Sequence, residues 1–195
     1  MIVVAIIAII ASVAIPKLMS ARLAANESAA IATLRSLSSA QAQIQSSGAI
    51  DGDGDGGGEY GYFGELSGAD PMRIWTVAGG GAIGAVGVDE LTPAVMSAAF
   101  GNVAASTVQR SGYVFQVWLP GAANAGVAEA AGGGSPAAPD AAGGPVSDNC
   151  EVMWCAFAWP IQASNSGNRV FFVNQEGDLL QTANRTGAYT AAAGP

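Results

Sequence analysis

Histidine is absent from this chain of 195 residues, and charged residues make up only 11% of it. Without histidine, neither a Ser/His/Asp nor a Cys/His catalytic set can form. A zinc site would have to combine two thiolates with two carboxylates, which is a poor ligand set. No pair of carboxylates tuned for acid and base work can be identified either. We therefore expect no catalytic residues, no certain cofactor and no enzymatic activity.

Basic residues are also scarce, since the chain has seven and a net charge of -8. They are scattered along the sequence at Lys17, Arg22, Arg35, Arg73, Arg110, Arg169 and Arg185. Binding to nucleic acid depends on lysine and arginine that neutralise phosphates. A nucleic-acid partner is therefore excluded.

The N-terminal segment is the most informative part of the sequence. Residues 1–15 are apolar except for Ser12, no charge occurs before Lys17, and Pro16 interrupts a helical pattern. A helix that spans a membrane needs about 20 apolar residues, and this run is a few residues shorter.

Three explanations fit that length. The run can be the core of a cleaved secretory signal, with cleavage near Ala14 or Ala21, although no basic residue precedes it. It can be a short anchor, although Lys17 and Arg22 beyond it favour the wrong orientation for export. It can also be the end of a longer apolar segment.

The segment MIVVAIIAIIASVAIPKLMSARLAANES resembles the N-terminal helix of type IV pilins and of the pseudopilins of type II secretion. In that family a basic leader is removed, and the mature chain begins with an N-methylated Phe and a Thr-Leu-Ile-Glu-Leu-like stretch. An apolar run ending in Ile-Pro follows, and Ile15 and Pro16 match it. The leader and the Phe-Thr-Leu-Ile-Glu-Leu residues are absent, so we expect the chain to begin a few residues into the mature protein.

The resemblance implies a subunit that polymerises with copies of itself into a filament. It further implies an inner-membrane location before assembly, cleavage by a prepilin peptidase, and an assembly machine. The final location would be an extracellular filament or a periplasm-spanning pseudopilus. The filament core would contain Ile6, Ile7, Ile9, Ile10, Val13, Ile15 and Pro16.

After Lys17 the helix becomes amphipathic and predicts an α+β fold with three segments. One face of this segment is predicted from residues that recur near helical spacing, namely Leu23, Ala30, Ile31, Leu34, Leu37, Gln41 and Ile44. Gly48 is an available C-cap. We expect an apolar segment at residues 1–22, an amphipathic segment at residues 23–48, and a domain at residues 49–195. The long helix should pack its second half on a small antiparallel sheet.

The sheet is predicted from three stretches rich in aromatic and β-branched residues. They are residues 112–120, 151–160 and 168–175, and a short strand should follow a turn at residues 175–178. Residues 122–148 form a low-complexity Ala/Gly/Pro insert that cannot bury a core of its own. We expect an exposed loop there, and a turn-rich connection at residues 77–87.

An acidic glycine-rich loop follows the helix and suggests calcium. Asp51, Asp53 and Asp55 alternate with glycine, and Glu59 comes shortly after. Such a run offers the oxygen ligands that Ca²⁺ prefers. An EF-hand would need glutamate at its twelfth position, where Tyr62 stands. The four carboxylates are therefore candidates for a different loop site, and a solvated acidic turn is the alternative.

Cys150 and Cys155 are the only cysteines. Because the N-terminal segment directs the domain to an oxidising compartment, we predict a disulfide between them. A pair of buried free thiols is the alternative.

The sequence as a whole predicts a structural, pilin-like subunit. The alternatives are a major pseudopilin, a membrane-anchored calcium-binding module that does not polymerise, and a secreted protein that loses its first residues.

Overall fold

The computed structural model of this chain describes residues 2–184 and 187–189. Met1, residues 185 and 186, and residues 190–195, which belong to the predicted segments 1–22 and 49–195, lie outside the described residues. The fold is α+β, with a long N-terminal helix packed on an antiparallel sheet, as predicted.

Helix α1 spans Ile2–Ser47, and its 46 residues correspond to a length of about 70 Å. It runs through Pro16 without a break. It ends at Gly48, which has a φ of +62° and donates its N–H to the Gln45 carbonyl at 3.3 Å. A positive φ favours glycine, so the predicted end of the helix is confirmed.

Only the second half of α1 packs on the domain. Its buried positions are Ala30, Leu34, Leu37, Ala40, Gln41 and Ile44. They recur every three or four residues and form one face of the helix. Gln41 is satisfied on this face because its side-chain amide exchanges two hydrogen bonds, of 2.7 and 2.9 Å, with the backbone of Gly61. A polar residue thus fits into the buried stripe.

The main sheet has six antiparallel strands. They are β3 (Val108–Arg110), β4 (Tyr113–Pro120), β5 (Gly126–Ala128), β6 (Cys155–Pro160), β7 (Arg169–Asn174) and β8 (Leu179–Ala183). Their order is β3-β4-β6-β7-β8, and β5 pairs with the free end of β4 beside β3. The predicted strands are confirmed, although the one expected from residue 151 begins at Cys155.

The two faces of this sheet have different surroundings. Alternate residues of β4, namely Tyr113, Phe115, Val117 and Leu119, lie in the core beneath α1. On the opposite face, Val114, Trp159 and Val170 form a second, smaller cluster. This separation follows from the period-2 alternation of side chains along a strand.

A connecting region lies between α1 and the main sheet. It contains the short helix α2 (Phe63–Leu66) and a hairpin of β1 (Arg73–Thr76) with β2 (Gly80–Ile83). The glycine-rich stretch at residues 77–87 therefore supplies the hairpin turn and β2, in addition to the expected turns.

The insert at residues 122–148 is packed against the domain at several points, so the predicted exposed loop is exposed only in part. Strand β5 within it pairs with β4, and Ser135 and Pro139 are buried. Glu129 is only 1% exposed. Ladder hydrogen bonds and a buried carboxylate hold this segment in place without an apolar core of its own. Helix α3 (Ser147–Cys150) follows directly.

Candidate functional site

Most of the exposed large hydrophobic side chains among the described residues lie on the uncovered half of α1. Its most apolar 18-residue window has a mean hydropathy of 2.6, none of it is buried, and α1 is long and apolar enough to cross a membrane. The exposed fraction of the isoleucine side chains in this half ranges from 52% at Ile6 to 78% at Ile2. Every residue predicted for a filament core is exposed, namely Ile6, Ile7, Ile9, Ile10, Val13, Ile15 and Pro16.

The acidic loop brings three of its predicted ligands together. Carboxylate oxygens of Asp51, Asp53 and Asp55 lie within 4.8 Å of one another. The N–H groups of Gly54 and Gly56 donate to the two Asp51 oxygens at 2.7 and 3.2 Å. Both glycines have positive φ, which lets the chain turn around the carboxylate.

Glu151 adds a fourth carboxylate that the sequence did not indicate. One of its oxygens is buried and has no hydrogen-bond partner among the described residues. It lies so close to Gly57 that a Cβ there would be 2.0 Å away. Burial and the charges of Asp55 and Asp53 raise the pKa of Glu151. Four carboxylates around one loop can supply oxygen ligands to a hard cation.

Glu59 does not join this cluster, and its assignment as a loop ligand was wrong. It is fully buried, accepts the N–H of Gly52 at 2.6 Å, and pairs with Arg73 Nη1 at 2.6 Å. Desolvation raises the pKa of Glu59, while the Arg73 charge opposes this shift. The buried carboxylate therefore stabilises the start of the loop through its hydrogen bond with Gly52.

Arg73 is the centre of a buried ionic network. It is 0% exposed, and its Nε pairs with Glu65 at 3.0 Å. Its Nη2 donates to the Tyr60 carbonyl. Burial alone would lower the pKa of Arg73, but Glu65 and Glu59 outweigh burial and raise it. One guanidinium thus joins the acidic loop, α2 and β1.

The network was missed because no recognisable sequence pattern links its members. Glu65 and Arg73 sit eight residues apart in a stretch of ordinary composition. The only signal was that Arg73 is the lone basic residue between residues 36 and 109. Such isolation does not distinguish a buried cation from a surface one.

Glu129 is a second buried carboxylate outside the predicted site. Its Oε1 accepts the N–H of Gly64 at 2.7 Å and the N–H of Gly134 at 3.0 Å. Its Oε2 is buried without a hydrogen-bond partner among the described residues. Desolvation outweighs the hydrogen bonds from the backbone N–H groups and raises the pKa of Glu129 to about 8. The group clamps the insert onto the start of α2.

Cys150 and Cys155 are free thiols in the structure, so the predicted disulfide is not formed. Cys150 belongs to the core cluster, with its Sγ 3.7 Å from the Pro120 carbonyl oxygen. Cys155 pairs with Trp118 on the opposite face of the sheet. Side chains on opposite faces cannot be bridged without a one-residue shift of β6.

No family model, curated protein or solved structure matches this chain. The resemblance to pilins and pseudopilins therefore rests on the N-terminal residues themselves. The geometry that bears on function consists of the uncovered helix and the acidic loop.

Proposed function

We propose that this chain is a structural, pilin-like subunit that polymerises through α1 into an extracellular filament. The observation that carries the proposal is the uncovered surface of residues 2–22. A helix that is apolar all round is normally buried in a protein core or a membrane. The domain leaves this half bare, so lipid or other copies of the chain must cover it.

The free energy of covering this surface is large. Nine isoleucine and valine side chains between Ile2 and Ile15 are more than half exposed. At about 25 cal/mol per Å², their burial is worth well over ~10 kcal/mol before ordering costs. Lipid can supply this burial before assembly, and neighbouring α1 helices can supply it afterwards. A bundle of such helices would form the core, and the sheet domains would form the surface.

The resemblance of the N-terminal segment supports the same proposal. It implies an inner-membrane location before assembly, with a prepilin peptidase and an assembly machine as partners. The size of the domain and its long insert favour a surface pilus over a periplasm-spanning pseudopilus. In either case the partner of the exposed helix is a second copy of this chain.

The proposal is tested by placing a charge in the assembly helix. Ile10→Asp puts an unpaired carboxylate in a desolvated core, which costs several kcal/mol. We expect electron microscopy of the host cells to find no filaments with Ile10→Asp and normal filaments with Ile10→Val. Circular dichroism should show that the domain is folded in both variants. Filaments of unchanged diameter after deletion of residues 1–22 would contradict the proposal.

A second candidate function is cation binding by the acidic loop. The convergence of Asp51, Asp53 and Asp55 within 4.8 Å supports it, as does the unpartnered Glu151 oxygen beside the loop. Like charges this close repel one another unless a cation lies between them. Calcium would then stiffen the loop at the end of α1.

Thermal unfolding with and without calcium tests the loop. A ligand that binds only the folded state raises its stability. We expect calcium to raise the Tm of the full chain and of Asp178→Asn, whose side chain lies in the exposed β7–β8 turn. The rise should disappear in Asp53→Asn. Calcium binding by a chain that forms no filaments, either with its original sequence or as Ile10→Val, would favour an anchored, non-polymeric module.

A further inference from the structure

A polar cavity of about 220 Å³ lies where the uncovered half of α1 meets the domain. Three segments build it: α1, the β3–β4 turn and the β6–β7 loop. Its lining residues are Arg22, Asn26, Ser111, Gly112, Asn165 and Ser166. Neither the acidic loop nor the buried ionic network contributes to it.

The walls of the cavity are held in place by a hydrogen bond from a side chain of α1 and by the close approach of the β3–β4 turn. Asn26 Nδ2 donates to the Ser166 carbonyl at 2.9 Å, which ties α1 to the β6–β7 loop. Gly112 has a φ of +78° and lies so close to Asn26 that a Cβ there would be 2.8 Å from Nδ2. The cavity is therefore preformed, which lowers the ordering cost of binding a ligand.

Arg22 gives the cavity its charge. It is exposed and is the only ionised group among the six lining residues. The Ser111 hydroxyl lies beside it, and the side-chain amides of Asn26 and Asn165, which each donate one hydrogen bond within the protein, keep a second N–H. An arginine with neutral donors beside it matches the geometry of a phosphate group.

The position of Arg22 along α1 corresponds to a particular depth in a bilayer. Leu18 and Met19 extend the exposed apolar surface beyond Ile15, and both are more than half exposed. Arg22 lies three residues beyond Met19, which is about 4.5 Å at 1.5 Å per residue. The polar region of a bilayer adds about 5–7 Å beyond each side of the hydrocarbon. With the apolar run in the hydrocarbon, Arg22 lies at the level of the phosphates.

The charges of the domain are distributed as expected for a protein whose cavity end faces an anionic membrane. Among the described residues, the end that carries the cavity includes the cations Lys17, Arg22, Arg110 and Arg169 and the anion Glu27. Glu27 is engaged there, 3.5 Å from Arg169. The acidic loop follows the far end of α1, and the acidic β7–β8 turn lies at the level of Ser38. The membrane-facing end is thus positive although the chain is acidic overall.

We propose that this cavity binds the phosphate group of an anionic membrane phospholipid, with Arg22 as its charge partner. The lipid would fix the height and rotation of the domain on the membrane before assembly. The proposal rests on membrane anchoring of α1 and does not require polymerisation. A chain that never forms filaments can still bind the lipid.

The test uses the full chain in micelles of an uncharged detergent that contains no phosphate. Phosphatidylglycerol is titrated into the micelles, and backbone amide shifts of Ser111, Gly112 and Ser166 are followed by nuclear magnetic resonance. We expect saturating shifts at these residues. Arg22→Gln should weaken binding about tenfold or more, as expected for loss of a charged hydrogen bond. Arg35→Gln, which removes an exposed cation elsewhere on α1, should leave binding within about twofold.

A matched pair at Ser111 provides a second test that leaves Arg22 intact. Ser111 has a φ of +49°, a conformation that both asparagine and aspartate tolerate. Ser111→Asp places a negative charge at the cavity and should abolish the shifts, whereas Ser111→Asn should retain them. Equal binding by these two variants would overturn the proposal.

Two other ligands distinguish the source of the phosphate. Diacylglycerol, which has no phosphate, should cause no shifts at the cavity. Inorganic phosphate should bind at least about tenfold more weakly, because a lipid shares the membrane with the anchored chain and has a higher effective concentration. Equal affinity for inorganic phosphate would overturn the lipid assignment. Equal losses in Arg22→Gln and Arg35→Gln would overturn the site.

Discussion

Residues 2–22 and residues 23–47 belong to one continuous helix, but the domain covers only the second stretch. Ile10 is 62% exposed in the first half, while Leu34 is 0% exposed in the second. Both halves are rich in alanine and large aliphatic residues. The secondary structure is the same, but the surroundings differ.

The difference lies in how the apolar residues are distributed around the helix. In the second half, Glu27 and Arg35 alternate with a single buried stripe. In the first half, large aliphatic residues point in every direction and no charge precedes Lys17. A one-sided stripe needs one partner surface, whereas an all-round apolar helix needs an environment on every side. A small sheet can serve the second half and cannot serve the first.

The largest expected effect comes from removing the buried cation of the domain. Arg73→Met leaves Glu59 and Glu65 buried without a charge partner, which costs about 3–5 kcal/mol. Urea unfolding of the full chain in micelles should measure this loss. Because residues 23–47 depend on the domain, their amide protection against hydrogen exchange should fall with it. Protection of residues 2–22, inside the micelle, should not change.

Arg35→Met is the matched control, since Arg35 is exposed on α1. Surface substitutions of this kind usually change stability by less than about 0.5 kcal/mol. A loss below about 1 kcal/mol in Arg73→Met would mean that the ionic network contributes little. Loss of protection in both halves would mean that the helix responds as a single unit.

The next effect compares the same kind of truncation in the two halves. Leu37→Ala removes a fully buried side chain and leaves a cavity, which costs about 2–5 kcal/mol. Ile10→Ala removes a side chain that the domain does not touch. The free energy of unfolding of the domain should therefore stay unchanged in Ile10→Ala. A comparable loss in both variants would contradict the division of α1 into a covered and an uncovered half.

Much of the fold could be predicted from local patterns. The buried stripe of α1, its end at Gly48 and the strands around Tyr113 and Phe171 follow from periodicities of 3.6 and 2 and from one glycine. These signals lie within a few residues of each other. The bounds of β6 were less accurate, because residues 151–154, which have strand-like composition, form a turn and an irregular stretch after α3.

The candidate site was predicted only where it is local. Asp51, Asp53 and Asp55 converge because their spacing forces them into one loop. Glu59, only four residues further, turns inward to Arg73, and Glu151 arrives from a distant segment. The cysteine pair failed for a related reason, because four intervening residues do not specify which face of β6 carries Cys155. Tertiary contacts decide such cases, and a single sequence does not encode them in a visible pattern.

A smaller effect should appear in how the stability of the two halves of α1 depends on pH. The pKa of Glu129 rises from an ordinary value of 4.5 to about 8 in the folded chain. The folded state therefore keeps a proton that the unfolded state releases, and stability falls as the pH rises between these values. Glu129→Gln mimics the protonated form. It should be more stable than the original chain by about 1–3 kcal/mol at pH 8, with a flatter pH profile.

Hydrogen exchange can measure the effect of Glu129 ionisation on the two halves of α1 separately. Residues 2–16 contain no ionisable side chain, so their opening free energy should not vary with pH in either variant. Protection of residues 23–47 should follow the stability of the domain and lose part of its pH dependence in Glu129→Gln. Glu176→Gln, in the exposed β7–β8 turn, is the control. Parallel pH profiles for all three proteins would show that Glu129 ionises normally.

The smallest effect is an order of chemical reactivity. Cys150 lies in the core that covers the second half of α1, and burial raises its pKa to about 12. Cys155 lies on the outer face and is partly exposed. Because the thiolate is the reactive form, iodoacetamide at pH 8 should alkylate Cys155 first. Cys150 should react only as fast as the domain opens, and therefore faster in Leu37→Ala but not in Ile10→Ala. Peptide mass spectrometry can follow both sites in one sample. Equal rates at the two cysteines, or an unreduced chain two hydrogens lighter, would contradict the free thiols and their placement on opposite faces.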